Sequence, residues 1–257
     1  MAEHGIVFLM YHELELSGRP LCQSEPGYVR YILPEASFRS QVVWLAQGQW
    51  QGLSVSEALK YPSAKSVAIT FDDGSETDLI SAAPILKESG FRATFYVTAG
   101  FVGKRGYLSP AQLRELQENG FEIGCHSMTH AYLDDLDAAA LRTEIVDAGK
   151  KLEQMIGEKV LHFSCPGGRF DERSLKLARE AGYRSFASSR THANSSGDDP
   201  YKLGRVAVLR GTDLTRFQRI CTGQALWRMR ASECARDAAK RTLGNTVYDR
   251  LRTLMLK

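Results

Sequence analysis

A chain of 257 residues, 43% hydrophobic and 25% charged, has the composition of an ordinary globular protein and the length for one large domain or two small ones. Its formal charge of +3 is uneven: residues 213–257 carry ten Lys and Arg against four Asp and Glu, and residues 1–212 carry 23 against 26, so the basic character belongs to a tail. The five cysteines, Cys22, Cys125, Cys165, Cys221 and Cys234, are scattered and form no C-x-x-C pair, which points to a reduced setting and away from a disulfide framework.

Met1-Ala2-Glu3-His4-Gly5 has no basic n-region, and Ile6 to Tyr11 is too short for a signal h-region or a membrane span; a cytoplasmic location is expected. Ile6 to Tyr11 is instead the first of seven apolar, β-branched or aromatic runs that predict strands, followed by Val67 to Phe71, Ala93 to Thr98, Phe121 to Gly124, Val160 to Ser164, Tyr183 to Ala187 and Arg205 to Leu209. Between most of them lie helical signals. Phe38 to Leu45 reads as a helix, and His12 to Tyr31 as a long loop over one mouth of the sheet. Ser109-Pro110 is a cap followed by proline at the first helical position, with Gly120 at the far end. Residues 138–156 place Leu141, Ile145, Ala148, Leu152 and Met155 on one helical face. Asp171 caps a helix over Glu172 to Ala181, which Gly182 ends, and Gly90 and Gly157 close two more. Asn194 to Pro200 is a polar loop expected to overlie the same mouth.

Strands alternating with helices predict an α/β fold in which a parallel sheet is closed, or nearly closed, into a barrel and covered on its outside. Reactive residues then belong at the C-terminal ends of the strands. Two motifs fall there: Thr70-Phe71-Asp72-Asp73-Gly74 and His126-Ser127-Met128-Thr129-His130. Two adjacent carboxylates at the end of a buried strand are costly, because desolvation and mutual repulsion oppose ionisation unless a cation or a shared proton compensates. Histidines at i and i+4 can help hold that cation, and three protein ligands leave a coordination position open for water. Read alone, Asp-Asp-Gly is a turn signal and the histidine pair a solvated or half-buried one; it is their joint placement that points to a metal site with a base beside it. Cys125 and Cys165 stand close enough in sequence to be thiolate ligands, or they are small buried hydrophobes.

These residues resemble the polysaccharide deacetylases with NodB homology, carbohydrate esterase family 4, over about residues 5–211. T-F-D-D-G and H-S-x-x-H in this order carry the resemblance, and Phe8-Leu9-Met10-Tyr11-His12 resembles the subgroup whose first strand ends in Tyr-His. The resemblance implies a deformed (β/α)7-type barrel over residues 1–211, with residues 212–257 as a basic helical extension packed on or beside it. It implies metal-dependent removal of an N-acetyl group from an amino sugar in an oligosaccharide, lipid-linked or polysaccharide substrate. Asp73, His126 and His130 would then hold a divalent metal, zinc first and cobalt or another transition metal after it, and Asp72 would be the general base. Two positions depart from the pattern. The family's Arg-x-Pro-aromatic stretch is replaced by Ser164-Cys165-Pro166-Gly167-Gly168, leaving Arg205 either to supply the missing guanidinium or to form a surface ion pair. The late Leu-x-His is replaced by Val208-Leu209-Arg210-Gly211, so the general acid falls to His12, to His192 or to water.

Two other readings stand beside this one: hydrolysis of another non-peptide C–N bond, such as a cyclic amide or ureide, and a non-catalytic carbohydrate-binding relative. In the tail, Leu226, Trp227, Met229, Leu243, Val247, Leu251, Leu254 and Met255 interleave with arginines and lysines. That pattern suits helices packed on the barrel, or a peripheral contact of residues 223–257 with the anionic inner face of a membrane. No nucleic-acid-binding module is recognisable.

Overall fold

In the computed structural model the described residues are 5–243, without 62 and 64, and side chains are described as far as residue 234. His4 and the tail positions Leu243, Val247, Leu251, Leu254 and Met255 therefore lie outside the described side chains. Among the described residues ten strands form: β1 Val7–Tyr11, β2 Leu14–Glu15, β3 Leu33–Pro34, β4 Gln51–Leu53, β5 Ser66–Phe71, β6 Thr94–Val97, β7 Glu122–Cys125, β8 His162–Ser164, β9 Ser185–Ala187 and β10 Val206–Ala207. All seven predicted strands are among them. The main sheet runs β10-β1-β5-β6-β7-β8-β9, with every pairing parallel. Between its two ends an isolated parallel bridge joins Ala187 to Leu203, so the sheet curls nearly onto itself, as a deformed βα barrel does.

Period-two alternation divides the strand side chains between two apolar clusters. Val67, Ile69, Phe71, Phe95, Val97, Ile123, Phe163 and Phe186 point outward into the large core shared with the helices. Phe8, Ala68, Tyr96 and Ala187 point inward and pack on one another with Leu203 and Val55. Gly124 is required by this inner packing, because a Cβ there would meet the Tyr96 ring at 2.4 Å. Most other inward positions are polar, and two hydrogen-bonded layers fill the barrel.

The lower layer closes the floor. The helix Val55–Lys60 begins with a Ser54 capping box, and its first turn enters the barrel: Val55 N–H donates to Thr94 Oγ1 at 2.8 Å. The Ser56 hydroxyl donates to Glu122 while lying 2.8 Å from His162 Nε2, and His162 Nδ1 lies 2.8 Å from Ser185 Oγ. Glu122 is drawn down to about 2 despite burial, which alone would raise it, because His162, Ser56 and Thr94 all stabilise its charged form.

The expected helices form, with Pro110–Glu118, Glu172–Glu180 and Glu35–Gln47 close to their predicted bounds. Residues 138–156 differ in kind: α-helix over Ala138–Arg142 and Ala148–Ile156 is interrupted by a π-helical turn, Thr143–Asp147. Leu214–Cys221 buries Phe217, Ile220 and Cys221 in the main core, and Leu226–Leu243 follows as a further helix. None of the described helices is long and apolar enough to cross a membrane. The expectation for Asn194 to Pro200 is corrected. Asn194 bridges Ile6 at the beginning of β1, at the opposite end of the barrel from Asp72. The reason is topological: β9 and β10 both run parallel to their neighbours, so the chain between them must return to the barrel's N-terminal end.

Candidate active site

At the C-terminal mouth, Asp72 and Asp73 follow the last residue of β5, His126 follows β7, and Cys165 follows β8. Asp73 takes up a left-handed conformation, φ 79°. Its carboxylate is buried, and Oδ1 has no hydrogen-bond partner among the described residues. Opposite it stand His126 Nε2 at 3.6 Å and His130 Nε2 at 3.4 Å. Ligand atoms of Asp73, His126 and His130 all lie within 4.8 Å of one another. The His126 tautomer follows from its other nitrogen: Nδ1 lies 2.9 Å from the Ser164 carbonyl, which can only accept, so Nδ1 carries the hydrogen and Nε2 presents a lone pair toward Asp73. An orphaned carboxylate oxygen and an oriented imidazole lone pair are what a divalent ion needs, and the three residues fit one.

His126 is fully enclosed, and its pKa is pushed down to about 4, mainly by burial, with His130 and Arg205 adding to the effect and Asp72 and Asp73 opposing it. Because the folded value lies below the ordinary 6.5, the fold favours the neutral ring. The stability this supplies is complete above pH 6.5 and lost as pH falls toward 4, about 3 kcal/mol in all. In chelator, the unfolding midpoint of the metal-free chain should fall across that window, and the profile of His126→Asn, whose amide can keep the bond to Ser164, should be flatter. Parallel profiles would refute the assignment.

Asp72 has a different environment. Arg205, 1% exposed and the largest fully buried side chain among the described residues, donates from Nη1 to Asp72 Oδ1 at 2.6 Å and from Nη2 to Asp72 Oδ2 at 2.7 Å. Its remaining hydrogens go from Nη1 to Thr70 Oγ1, from Nη2 to Ser164 Oγ and from Nε to the Ser188 carbonyl. All five guanidinium N–H groups are thereby used. Burial alone would raise the Asp72 pKa, but the Arg205 charge, with His126 and the hydrogen bonds, holds it well below the ordinary carboxylate value. Asp72 Oδ2 lies 3.7 Å from His126 Nε2. The two carboxylates thus differ in partners: Asp72 is bound by an arginine, and Asp73 faces two imidazoles.

His12 follows β1, alongside the start of the Asp72-Asp73 pair, since Asp72 N–H donates to the Tyr11 carbonyl at 2.9 Å. Its ring packs on Tyr31 at 4.7 Å between centroids, and its buried Nδ1 has no partner among the described residues. Burial lowers its pKa, while Asp73 and Asp72 act in the opposite sense. His192 is not part of this group: its charged surroundings are Asp198, Arg230, Glu233 and Arg190. Cys125 and Cys165 are buried and burial raises both thiols to about 12; neither joins the Asp-His-His set. The loop after His12 is tied down by Glu13, which is wholly buried and accepts from Arg19 Nη1 at 2.6 Å, Cys22 N–H at 2.9 Å and Tyr28 OH at 2.9 Å. Arg19 in turn donates to the Gly106 carbonyl at 2.9 Å, closing this loop against the segment beyond Gly74. Glu13 has no clear signature in the sequence beyond its place next to His12.

The fold and these residues define a class: βα-barrel proteins whose mouth combines a metal-capable Asp-His-His set with a second, ionised carboxylate. Comparison with known proteins agrees. The profile of the polysaccharide deacetylase family matches residues 60–186. YxkH of Bacillus subtilis, named for the same family, is 31% identical over 215 residues, which span 81% of this chain and 73% of that one. The poly-β-1,6-N-acetyl-D-glucosamine N-deacetylase of Staphylococcus aureus is 26% identical over 197 residues, covering 69% and 68%. Among solved structures, IcaB of Ammonifex degensii superposes with a TM-score of 0.71 at 25% identity, covering 86% of this chain and 97% of that one. The deacetylase PplD of Streptococcus pyogenes shares the fold with a TM-score of 0.75 at 22% identity, covering 86% and 99%. The chain belongs to the polysaccharide deacetylase family.

Proposed function

We propose that this protein is a divalent-metal-dependent hydrolase that removes the acetyl group from the nitrogen of an amino sugar in an oligosaccharide, lipid-linked or polysaccharide substrate. The observation that carries the reading is the division of labour between the adjacent carboxylates. A site that only bound sugar or metal would have no use for a second aspartate locked ionised by a five-point arginine beside the ligand set. The deacetylases among the relatives support the substrate class.

Asp73, His126 and His130 would hold the ion, with zinc the first candidate from the mixed nitrogen and oxygen donor set. When bound, such an ion supplies Lewis acidity toward the amide carbonyl and its attacking water. The chain's own residues move the protons. Asp72 takes one from water as its oxygen bonds to the acetyl carbon, and Arg205 keeps the Asp72 carboxylate in one orientation while it does so. Asp72 is hard to protonate at rest, so it gives that proton up again. His12, whose pKa burial lowers, takes it and passes it to the amino-sugar nitrogen as the C–N bond breaks, giving a free amine and acetic acid, which ionises to acetate. His12 Nδ1 has no partner among the described residues, so no hydrogen bond to that atom fixes which ring nitrogen carries the proton.

The test is acetate release from β-linked N-acetylglucosamine oligomers by chelator-stripped protein with and without added zinc or cobalt, with a cyclic ureide run beside them. Ion-dependent release from the sugars alone is expected, with His12→Asn lowering kcat by about 100-fold. Turnover of the ureide alone would replace the sugar reading. An unchanged rate in His12→Asn would move the proton donation to water.

A further inference from the structure

Glu144 lies on the π-helical turn Thr143–Asp147 and is 5% exposed. No lysine, arginine or histidine forms an ion pair with it among the described residues. Instead its two carboxylate oxygens accept three hydrogen bonds from one short stretch of chain. Oε2 accepts from Met128 N–H at 2.9 Å and Thr129 N–H at 2.8 Å, and Oε1 accepts from Thr129 Oγ1 at 2.6 Å. That stretch lies between His126 and His130. It is a strained segment: Ser127 and His130 both have positive φ, 68° and 66°, a conformation unfavourable for a residue with a side chain. Other polar groups of the segment are engaged as well. Ala99 and Gly100 N–H donate to the Ser127 and Met128 carbonyls, and His130 N–H donates to Ser127 Oγ at 3.0 Å.

We infer that Glu144 is a positioning residue for the metal site, a buried carboxylate that holds the loop in the conformation bringing both imidazoles onto Asp73. The inference rests on the metal-binding reading above. Two consecutive N–H groups converging on one carboxylate oxygen make a small anion-binding concavity, here filled by the protein itself. Without it, the Met128 and Thr129 N–H groups would lose their only acceptor among the described residues, the Glu144 carboxylate, and the loop could relax the left-handed residues at its two ends. His130 would be affected first, since its side chain is 37% exposed and it has less packing to hold it than His126. The π turn fits the role: one extra residue in the helix at Thr143–Asp147 lets Glu144 point at the loop while Leu141, Ile145 and Ala148 stay in the core.

The experiment is a cobalt titration of the full chain, read by calorimetry and by the visible spectrum of the bound ion, for wild type, Glu144→Ala, Glu144→Gln and Thr129→Val. Glu144→Ala should weaken cobalt binding by about 10- to 100-fold and alter the spectrum, while the far-ultraviolet circular dichroism of the metal-free protein is kept. Glu144→Gln should restore most of the affinity, because its carbonyl can accept from the two N–H groups while its amide donates to Thr129 Oγ1. Thr129→Val, losing one bond of three, should fall between wild type and Glu144→Ala. Should Glu144→Ala not fold, Glu144→Gln and Thr129→Val still decide: a Thr129→Val affinity equal to wild type would overturn the inference. So would a Glu144→Ala protein that binds within two-fold of wild type with the same spectrum. Failure of wild type to bind cobalt at all would instead overturn the metal reading on which this one depends.

Discussion

Arg205→Met is expected to destabilise the protein by about 3–5 kcal/mol, the range for breaking a buried ion pair from one side, and to depress catalysis with it. The guanidinium is 1% exposed and Asp72 is 2% exposed, so neither can turn to water when its partner is lost. Methionine fills much of the volume but leaves both oxygens of Asp72, Thr70 Oγ1, Ser164 Oγ and the Ser188 carbonyl without their donor. Asp72 would then lose the charge that outweighs its burial, and its pKa would rise. Ionised Asp72 stabilises the fold above its unfolded value, and this stability is lost as pH falls through the folded value; raising that value moves the loss to higher pH. Arg205→Lys should also fail, because one ammonium with three hydrogens cannot reproduce a planar five-donor fork. Urea unfolding of the two variants, and of Arg205→Met with Asp72→Asn, measures the pair: the double variant should recover much of the single loss. A cost below about 1 kcal/mol for Arg205→Met, in the range of an exposed pair, would mean the pairing is not carrying the site.

Asp72→Asn is expected to cut acetate release by about 100- to 10,000-fold, the span for a lost general base, with about one ion still bound per chain. The asymmetry comes from the geometry. Asp73 faces His126 and His130, and Asn at position 72 leaves all three of those groups in place. The converse substitution, Asp73→Asn, should lose the ion together with activity. Ion titration and rate measurements on both proteins separate the two carboxylates. An Asp72→Asn protein with full activity would sink the assignment of the base.

Much of this site is legible in the sequence because its signals are local. Thr70-Phe71-Asp72-Asp73-Gly74 reads as a strand running into a turn, and the i, i+4 histidines follow a second strand, so both motifs can be placed on one mouth by strand direction alone. Arg205 is different. It precedes a two-residue strand and acts on Asp72, 133 positions away, and its role depends on β10 lying beside β1, with Leu9 opposite Val206. In sequence alone, a surface ion pair is the commoner fate of such a residue. Glu144 did leave a trace: it is a carboxylate within a stripe otherwise made of Leu141, Ile145, Ala148 and Leu152, where a solvated glutamate does not belong. The π turn that aims it has no such trace. The composition of Asn194 to Pro200 marks an exposed loop, but only the return path to β10 fixes which end of the barrel it occupies, the one beside Ile6. β4, Gln51–Leu53, is three residues long with a glycine at its centre and is too short to show a period.

Among the described residues, the non-glycine positions with positive φ are Gln49, Asp73, Ser127 and His130, and the last three border the same few ångströms of the mouth. The site is therefore written in backbone as much as in side chains. Grafting an aspartate and two histidines onto a relaxed barrel at matching strand ends would reproduce the donor atoms but not their convergence. A successful transplant would have to carry the turn after β5, the five-residue loop after β7 and the buried carboxylate beneath it as one inheritable unit.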